Sequence, residues 1–207
     1  MGIITRGFFG RRRQEEEDEN AGRVPPGQYV DRGFPVLSAG PTPRVDTATW
    51  TFRIDYNGED IGVWDWDQMM ALPQTDIHTD IHCVTKWSKL DTDWRGVLID
   101  DFLADAGLDE PPADFLMAYS DGGYTTNLPT ADVIDGKGFL GHTFDGAPLE
   151  ASHGGPIRMV VPHLYFWKSA KWVRGIRFMD SDAPGFWEAY GYHMYGDPWR
   201  EQRYHYD

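Results

Sequence analysis

Beyond residue 24 this 207-residue chain is interrupted by proline or glycine at short intervals, 23 Gly and 14 Pro in all. Such punctuation limits how far any helix can run. The segments between the breaks are short, and the expectation is mixed α+β, strand-rich with short helices. Trp50, Phe52 and Ile54 alternate with polar residues as a half-buried strand does, and Tyr56-Asn57-Gly58-Glu59 supplies a hairpin turn after it. Further strands are expected at Ile77 to Thr85, Phe115 to Tyr119, Ile157 to Val161 and Trp172 to Phe178. Two helices are expected: Asp65 to Leu72, capped by Asp65 and stopped by Pro73, and Val97 to Ala106, closed by Gly107.

The first 23 residues read differently. Arg11, Arg12 and Arg13 run into Gln14, Glu15, Glu16, Glu17, Asp18 and Glu19, a charge block that cannot pack and reads as a solvated tail. Acids rather than an apolar run follow the arginines, so no twin-arginine export signal is expected, and a cytoplasmic location is. No stretch reaches the ~18 apolar residues that a membrane-spanning helix needs. One domain over residues 24–207 accommodates the rest, with 41% hydrophobic and 14% aromatic residues to fill its core. A net charge of −14 disfavours nucleic acid or an anionic membrane as partner of the whole surface.

Against that acidity, no acid occurs from Ala151 to Met179, where even scattering would place roughly four or five. The same stretch holds Arg158, Lys168, Lys171, Arg174 and Arg177, with His153 and His163. Its His153-Gly154-Gly155-Pro156-Ile157-Arg158 loop offers glycines for close backbone approach to a ligand. Lys168-Ser169-Ala170-Lys171 adds ammonium, hydroxyl and N–H donors suited to a phosphate. Pairing of these cations with the protein's surplus carboxylates explains the same composition equally well.

Cys83 is the one cysteine, which excludes an internal disulfide and any multi-cysteine metal site. It closes a strand candidate beside His82 and Lys86, and three roles are open to it: an inert core thiol, a nucleophile, or a soft ligand to a metal whose other ligands come with a cofactor. The C-terminal aromatics Trp187, Tyr190, Tyr192, Tyr195, Trp199, Tyr204 and Tyr206 either wrap the core or form a platform for an apolar or carbohydrate ligand. Trp64, Trp66, Trp87 and Trp94 either line a funnel or fill the core.

Three separated motifs, Asp80 to Trp94, Gly123 to Pro129 and above all His153 to Trp172, resemble the molybdopterin-binding domain of the sulfite oxidase superfamily. The branch they are most similar to holds the catalytic subunit of bacterial protein-methionine-sulfoxide reductase and single-domain sulfite oxidase-like oxidoreductases. The resemblance covers most of residues 28 to 200 and implies a fold of mixed sheets with short helices. It implies that Cys83 ligates molybdenum held by a pterin dithiolene in a molybdenum-molybdopterin cofactor. His153, Arg158, Ser169, Ala170 and Lys171 match positions that contact the pterin and its phosphate. Ser120 matches a hydroxyl position on the pterin, and Leu37 and Ser38, in Phe34-Pro35-Val36-Leu37-Ser38-Ala39-Gly40, match a segment lying along it. In true sulfite oxidases arginines follow the metal cysteine closely; here Val84-Thr85-Lys86-Trp87-Ser88 follows, with Lys86 the only cation.

The resemblance therefore implies two-electron oxygen-atom transfer on a small substrate, a sulfoxide, an N-oxide or similar, rather than sulfite oxidation. Electrons would be exchanged with an external donor or acceptor, since no haem motif appears. The competing expectation is a non-catalytic, aromatic-rich carbohydrate-binding module in which Cys83 is inert packing.

Overall fold

A computed structural model describes residues 20–207. The charge block of the expected tail, residues 11–19, lies outside the described residues. Arg23, at the end of that tail, bonds Asp80 through Nε and Nη2 and Asp91 through Nη2.

Eleven strands occur among the described residues: β1 (Tyr29–Val30), β2 (Thr51–Tyr56), β3 (Glu59–Asp65), β4 (Thr75–His82), β5 (Trp87–Leu98), β6 (Phe115–Ser120), β7 (Thr125–Pro129), β8 (Phe139–Phe144), β9 (Ala147–Pro148), β10 (Arg158–Val160) and β11 (Val173–Met179). Three short α-helices accompany them: α1 (Trp66–Ala71), α2 (Ile99–Asp105) and α3 (Phe186–Ala189). One sheet runs β1-β5-β8-β10, with β4 also on β5 and β9 on β8. The other runs β3-β2-β11-β6-β7, with β11 parallel to β2 and antiparallel to β6. This is the strand-rich mixed architecture expected.

Local chemistry accounts for several boundaries. Asn57 and Gly58 both take positive φ, 52° and 82°, the pair a two-residue hairpin requires, and β2 turns into β3 there. The side chain of Asp65 accepts the Gln68 N–H while Gln68 accepts the Asp65 N–H, a reciprocal cap that starts α1. The second helix is shorter than expected. Val97 and Leu98 complete β5 because Val97 pairs with Leu140 and is fully buried, so the helix begins at Ile99. Likewise β4 ends at His82, and Val84 to Lys86 form a three-residue hairpin loop: the Lys86 N–H bonds the Cys83 carbonyl, and Lys86 takes φ 77°.

The first sheet is covered on both faces. Val97, Leu140 and Met159 join Phe52, Ile54 and Ile176 of the second sheet and Phe102 of α2 in the main core. Their strand neighbours Phe139 and Val160 point the other way, with Trp94, into a smaller cluster built around Ile81, Cys83, Trp87 and Phe166. The basic stretch is the connection between sheets: it leaves β10, folds back so that Lys171 bridges Arg158, and enters β11.

Candidate active site

Where that connection meets the Cys83 turn, the chain encloses a cavity of ≈ 590 Å³. Cys83, Val84, Thr85 and Trp87 line it from the turn, and His153, Arg158, Ser169, Lys171 and Trp172 from the basic stretch. Leu37 and Ser38 line it from the irregular segment after β1, and Phe186, Trp187 and Tyr192 from the C-terminal region. Seven of the nine residues singled out in the sequence thus meet in one place, although Leu37 and Lys171 lie 134 positions apart. The remaining two do not line the cavity. Ala170 is fully buried in the main core, and its carbonyl accepts the Met159 N–H. Ser120 lies directly before the lining residue Asp121, and its buried Oγ has no hydrogen-bond partner.

The thiol of Cys83 is only 6% exposed and accepts a hydrogen bond from the Thr85 hydroxyl at 3.2 Å. The turn fixes it firmly: its N–H bonds Trp87 O, its carbonyl accepts Lys86 N–H, and Gln28 Nε2 donates to the same carbonyl at 3.1 Å. Burial pushes the thiol pKa up, while the Thr85 hydrogen bonds and the positive charge of Arg158 oppose that shift. The sulfur is therefore a protonated, shielded thiol that becomes a thiolate only when something positive, such as a metal, takes the proton's place.

The five cations of the basic stretch separate into two groups. Lys168 is fully buried against Glu188, 2.6 Å away. Arg174 pairs with Asp121 at 2.8 Å and Arg177 with Asp55 at 2.6 Å. For these three, pairing with the acidic surplus was the right expectation, and Lys168 has no donor to spare for a ligand. Arg158 and Lys171 have no carboxylate. The Arg158 guanidinium, 1% exposed, bonds the carbonyls of His153 at 2.7 Å and Ser169 at 2.6 Å, lies 4.0 Å from the centre of the Phe166 ring, and leaves Nε without a partner. Lys171 Nζ bonds the carbonyls of Leu37 and Ser152, each at 2.6 Å. Burial lowers Arg158 to about 9. Burial, with the field of Arg158 added, lowers Lys171 to about 8. Two cations in one cavity with no acid beside them, one carrying an orphaned donor, are built for an anion.

The glycine loop serves a different purpose from the one expected. Gly154 takes φ 108°, and a Cβ there would press on the Cβ atoms of Arg158 and Lys171 at 3.0 Å; at Gly155 it would strike the Leu149 carbonyl. These glycines let the loop pack on its own backbone, and neither lines the cavity. The lining member of the loop is His153, whose ring stacks on Phe34 at 3.8 Å with 9° between planes. Burial lowers its pKa, and Arg158 and Lys171 lower it further, so it is neutral at pH 7.

Trp64 and Trp94 are core residues and Trp66 packs on the core, whereas Trp87 lines the cavity with its buried Nε1 unpartnered. Of the C-terminal aromatics, Trp187 and Tyr192 line it too, stacked at 5.1 Å and 17°. Burial raises the Tyr192 pKa, with Tyr204 and the Cys83 sulfur adding to the shift. Sequence reading did not single out Phe34, Asp121, Tyr124 and Trp172 as lining residues: Phe34, Tyr124 and Trp172 lie within the matched segments but share their aromatic character with the core, and Asp121 carried no signal.

The sequence pattern described as "Oxidoreductase molybdopterin binding domain" matches residues 39–187. The chain is 43% identical over 201 residues to the "Uncharacterized oxidoreductase YuiH" of Bacillus subtilis, covering 97% of this chain and all of that protein. It is 31% identical over 157 residues to the "Putative protein-methionine-sulfoxide reductase subunit YedZ1" of Azospira oryzae, covering 74% of this chain and 58% of that one. Its fold is similar to that of the sulfane dehydrogenase SoxCD from Paracoccus pantotrophus, with a TM-score of 0.59 at 20% identity over 68% of this chain and 40% of that one. The chemistry of the donor set agrees with such a family, because an anion-seeking pair of cations and a lone soft sulfur are what a phosphate-bearing dithiolene ligand of molybdenum requires. This protein is a molybdenum-molybdopterin oxidoreductase and belongs to the family of oxidoreductase molybdopterin-binding domains.

Proposed function

We propose that the protein carries out two-electron oxygen-atom transfer on a small neutral substrate, a sulfoxide, an N-oxide or similar, with Cys83 as the protein ligand to molybdenum. The observation that carries this reading is the meeting of one shielded thiol with two carboxylate-free cations in a single cavity. When bound, the cofactor supplies a two-electron couple and the centre at which oxygen is exchanged. Reduction of a sulfoxide in this way breaks its S–O bond, takes up two electrons and two protons, and releases the sulfide and water.

Each lining residue has a part in this reading. Cys83 gives up its proton and presents sulfur from a rigid turn, and Arg158 and Lys171 favour that thiolate. The same cations, with Ser169, His153, Leu37 and Ser38, hold the pterin and its phosphate. Ser120 and Ala170 act behind the lining, through their positions beside Asp121 and Lys171. Phe186, Trp187 and Val84 exclude water and favour an apolar body. Tyr192, which lines the cavity, carries a phenol that can donate a hydrogen bond to a substrate oxygen. With Arg158 and Lys171 engaged by the pterin phosphate, no further lysine or arginine among the described residues lines the cavity to receive an anion such as sulfite, which agrees with the cation-poor sequence after Cys83. Electrons come from or go to an external partner.

Membership in an oxidoreductase family displaces the carbohydrate-module reading. The test is Cys83→Ser in protein produced in a host that makes molybdopterin. Wild-type protein should hold stoichiometric molybdenum, show a thiolate-to-metal absorption band, and turn over methionine sulfoxide, dimethyl sulfoxide or trimethylamine N-oxide anaerobically with a reduced dye. The variant should lose the band and the turnover. A serine variant that keeps metal, band and rate would end the proposal.

A further inference from the structure

We infer that Lys168 and Glu188 are positioning residues, a buried charged clip that holds Phe186, Trp187 and Tyr192 against the cavity and thereby sets its fit to substrate. The inference rests on the functional reading above for its activity arm. Helix α3 is a single turn with no side-chain cap, too short to hold a fixed place by itself. Glu188 is its inward-facing residue. Its Oε1 receives Lys168 Nζ at 2.6 Å, Trp167 Nε1 at 2.8 Å and the Thr126 hydroxyl at 3.1 Å, while Oε2 is buried without a partner.

Lys168 reaches further along the same segment. Its Nζ bonds Met194 O at 2.6 Å, and it is anchored to Asn127 through O at 2.9 Å and Oδ1 at 2.8 Å. One ammonium therefore grips the C-terminal segment at residues 188 and 194, and Tyr192 is carried on the arc between those grips. The Tyr192 N–H bonds Trp187 O, the Gly191 N–H bonds Glu188 O, and the Trp167 indole packs edge-on against Tyr192 at 5.1 Å. Phe186 and Trp187 immediately precede Glu188 in sequence and line the cavity that Glu188 itself does not line.

A buried ion pair is a weak source of stability compared with apolar packing, and fixing one arrangement is the role left to it. A shift of the aromatic wall would change how substrate is seated without touching the Cys83 turn or the Arg158 and Lys171 cations.

The experiment uses full-length, molybdenum-loaded protein carrying Lys168→Met/Glu188→Leu, which removes both charges, or Glu188→Gln, which keeps an oxygen for Trp167 and Thr126. Expected for the double variant are unchanged molybdenum content, kcat within about twofold of wild type, and KM raised about tenfold for whichever of methionine sulfoxide, dimethyl sulfoxide and trimethylamine N-oxide is reduced. Glu188→Gln should fall between the two. In a Trp187→Ala background the double substitution should change KM much less, because Trp187, against which Phe186 and Tyr192 pack, is already gone from the wall it positions. Amide exchange should quicken over residues 186–194 and stay unchanged in β11. An unmoved KM, an undiminished effect in the Trp187→Ala background, a loss of molybdenum with the clip, or failure of both variants to fold would each overturn the inference. Wild-type protein without molybdenum or turnover would break the functional reading instead, and the exchange measurement would then decide the clip alone.

Discussion

Lys168 and Lys171 stand three residues apart in the one basic stretch of an acidic protein, yet the fold gives them opposite employment. Lys168 faces a carboxylate in a dry interior and holds the C-terminal segment in place. Lys171, like Arg158, faces only carbonyl oxygens at a cavity wall. A buried cation with an acid beside it is already neutralised, whereas one without an acid retains a field that an anion can answer. The contrast locates the anion site more sharply than the count of cations does.

The harshest way to break the contrast is Lys168→Met by itself. It strands Glu188 as an unpaired buried carboxylate and should cost about 3–5 kcal/mol of stability, read as a large drop in the melting temperature of cofactor-free protein. Arg158→Met should do the reverse. Removing a cation without a counter-charge spares most of the fold, while loss of charge-assisted bonds to phosphate should weaken cofactor retention by about 10- to 100-fold, measured as molybdenum per chain. If the two variants gave the same pattern, the division of the basic stretch would be wrong.

A gentler test uses pH. Burial puts Lys171 at about 8 and Arg158 at about 9, below their unfolded values, so the folded chain binds fewer protons than the unfolded chain from about pH 8 upward. Stability of the cofactor-free protein should therefore rise with pH across that range, on account of these two groups, as the cost of burying the charges is relieved. Affinity for inorganic phosphate should fall several-fold over the same interval, and calorimetry between about pH 7 and pH 9.5 would reveal it. A Lys171→Met variant should show a shallower dependence in both measurements. The smallest effect belongs to Arg53→Gln. Its pair with Asp60 at 2.8 Å is about half exposed on both sides, so about 1 kcal/mol or less is expected, with molybdenum content unchanged.

Much of the architecture was legible without coordinates. Alternation identified the core of β2, the expected strands covered most of β6, β10 and β11, and Asp65 with Pro73 delimited α1 to within a residue. Where reading failed, two signals overlapped. Val97 and Leu98 suit a helix as well as a strand, and pairing with β8 decided for the strand. The polar character of β7 and the glycines of β8 concealed strands that are defined by their neighbours on the sheet. In the site, the motifs named residues that the fold did gather, but aromatic side chains such as Phe34 and Trp172 carried no mark separating cavity wall from core.

By itself the sequence determined that this chain must build a strand-rich domain, that one basic stretch is free of acids, and that a single thiol is available. Those properties follow from local periodicity, turn chemistry and composition, which act over a few residues. The tertiary structure alone decided which cations would be neutralised, because Arg174 finds its acid 53 positions away and Arg177 finds its acid 122 positions away. Contacts at such separations exist only once the two sheets have packed, and burial, which sets the energy of an unpaired charge, is a property of that packing and of no residue on its own.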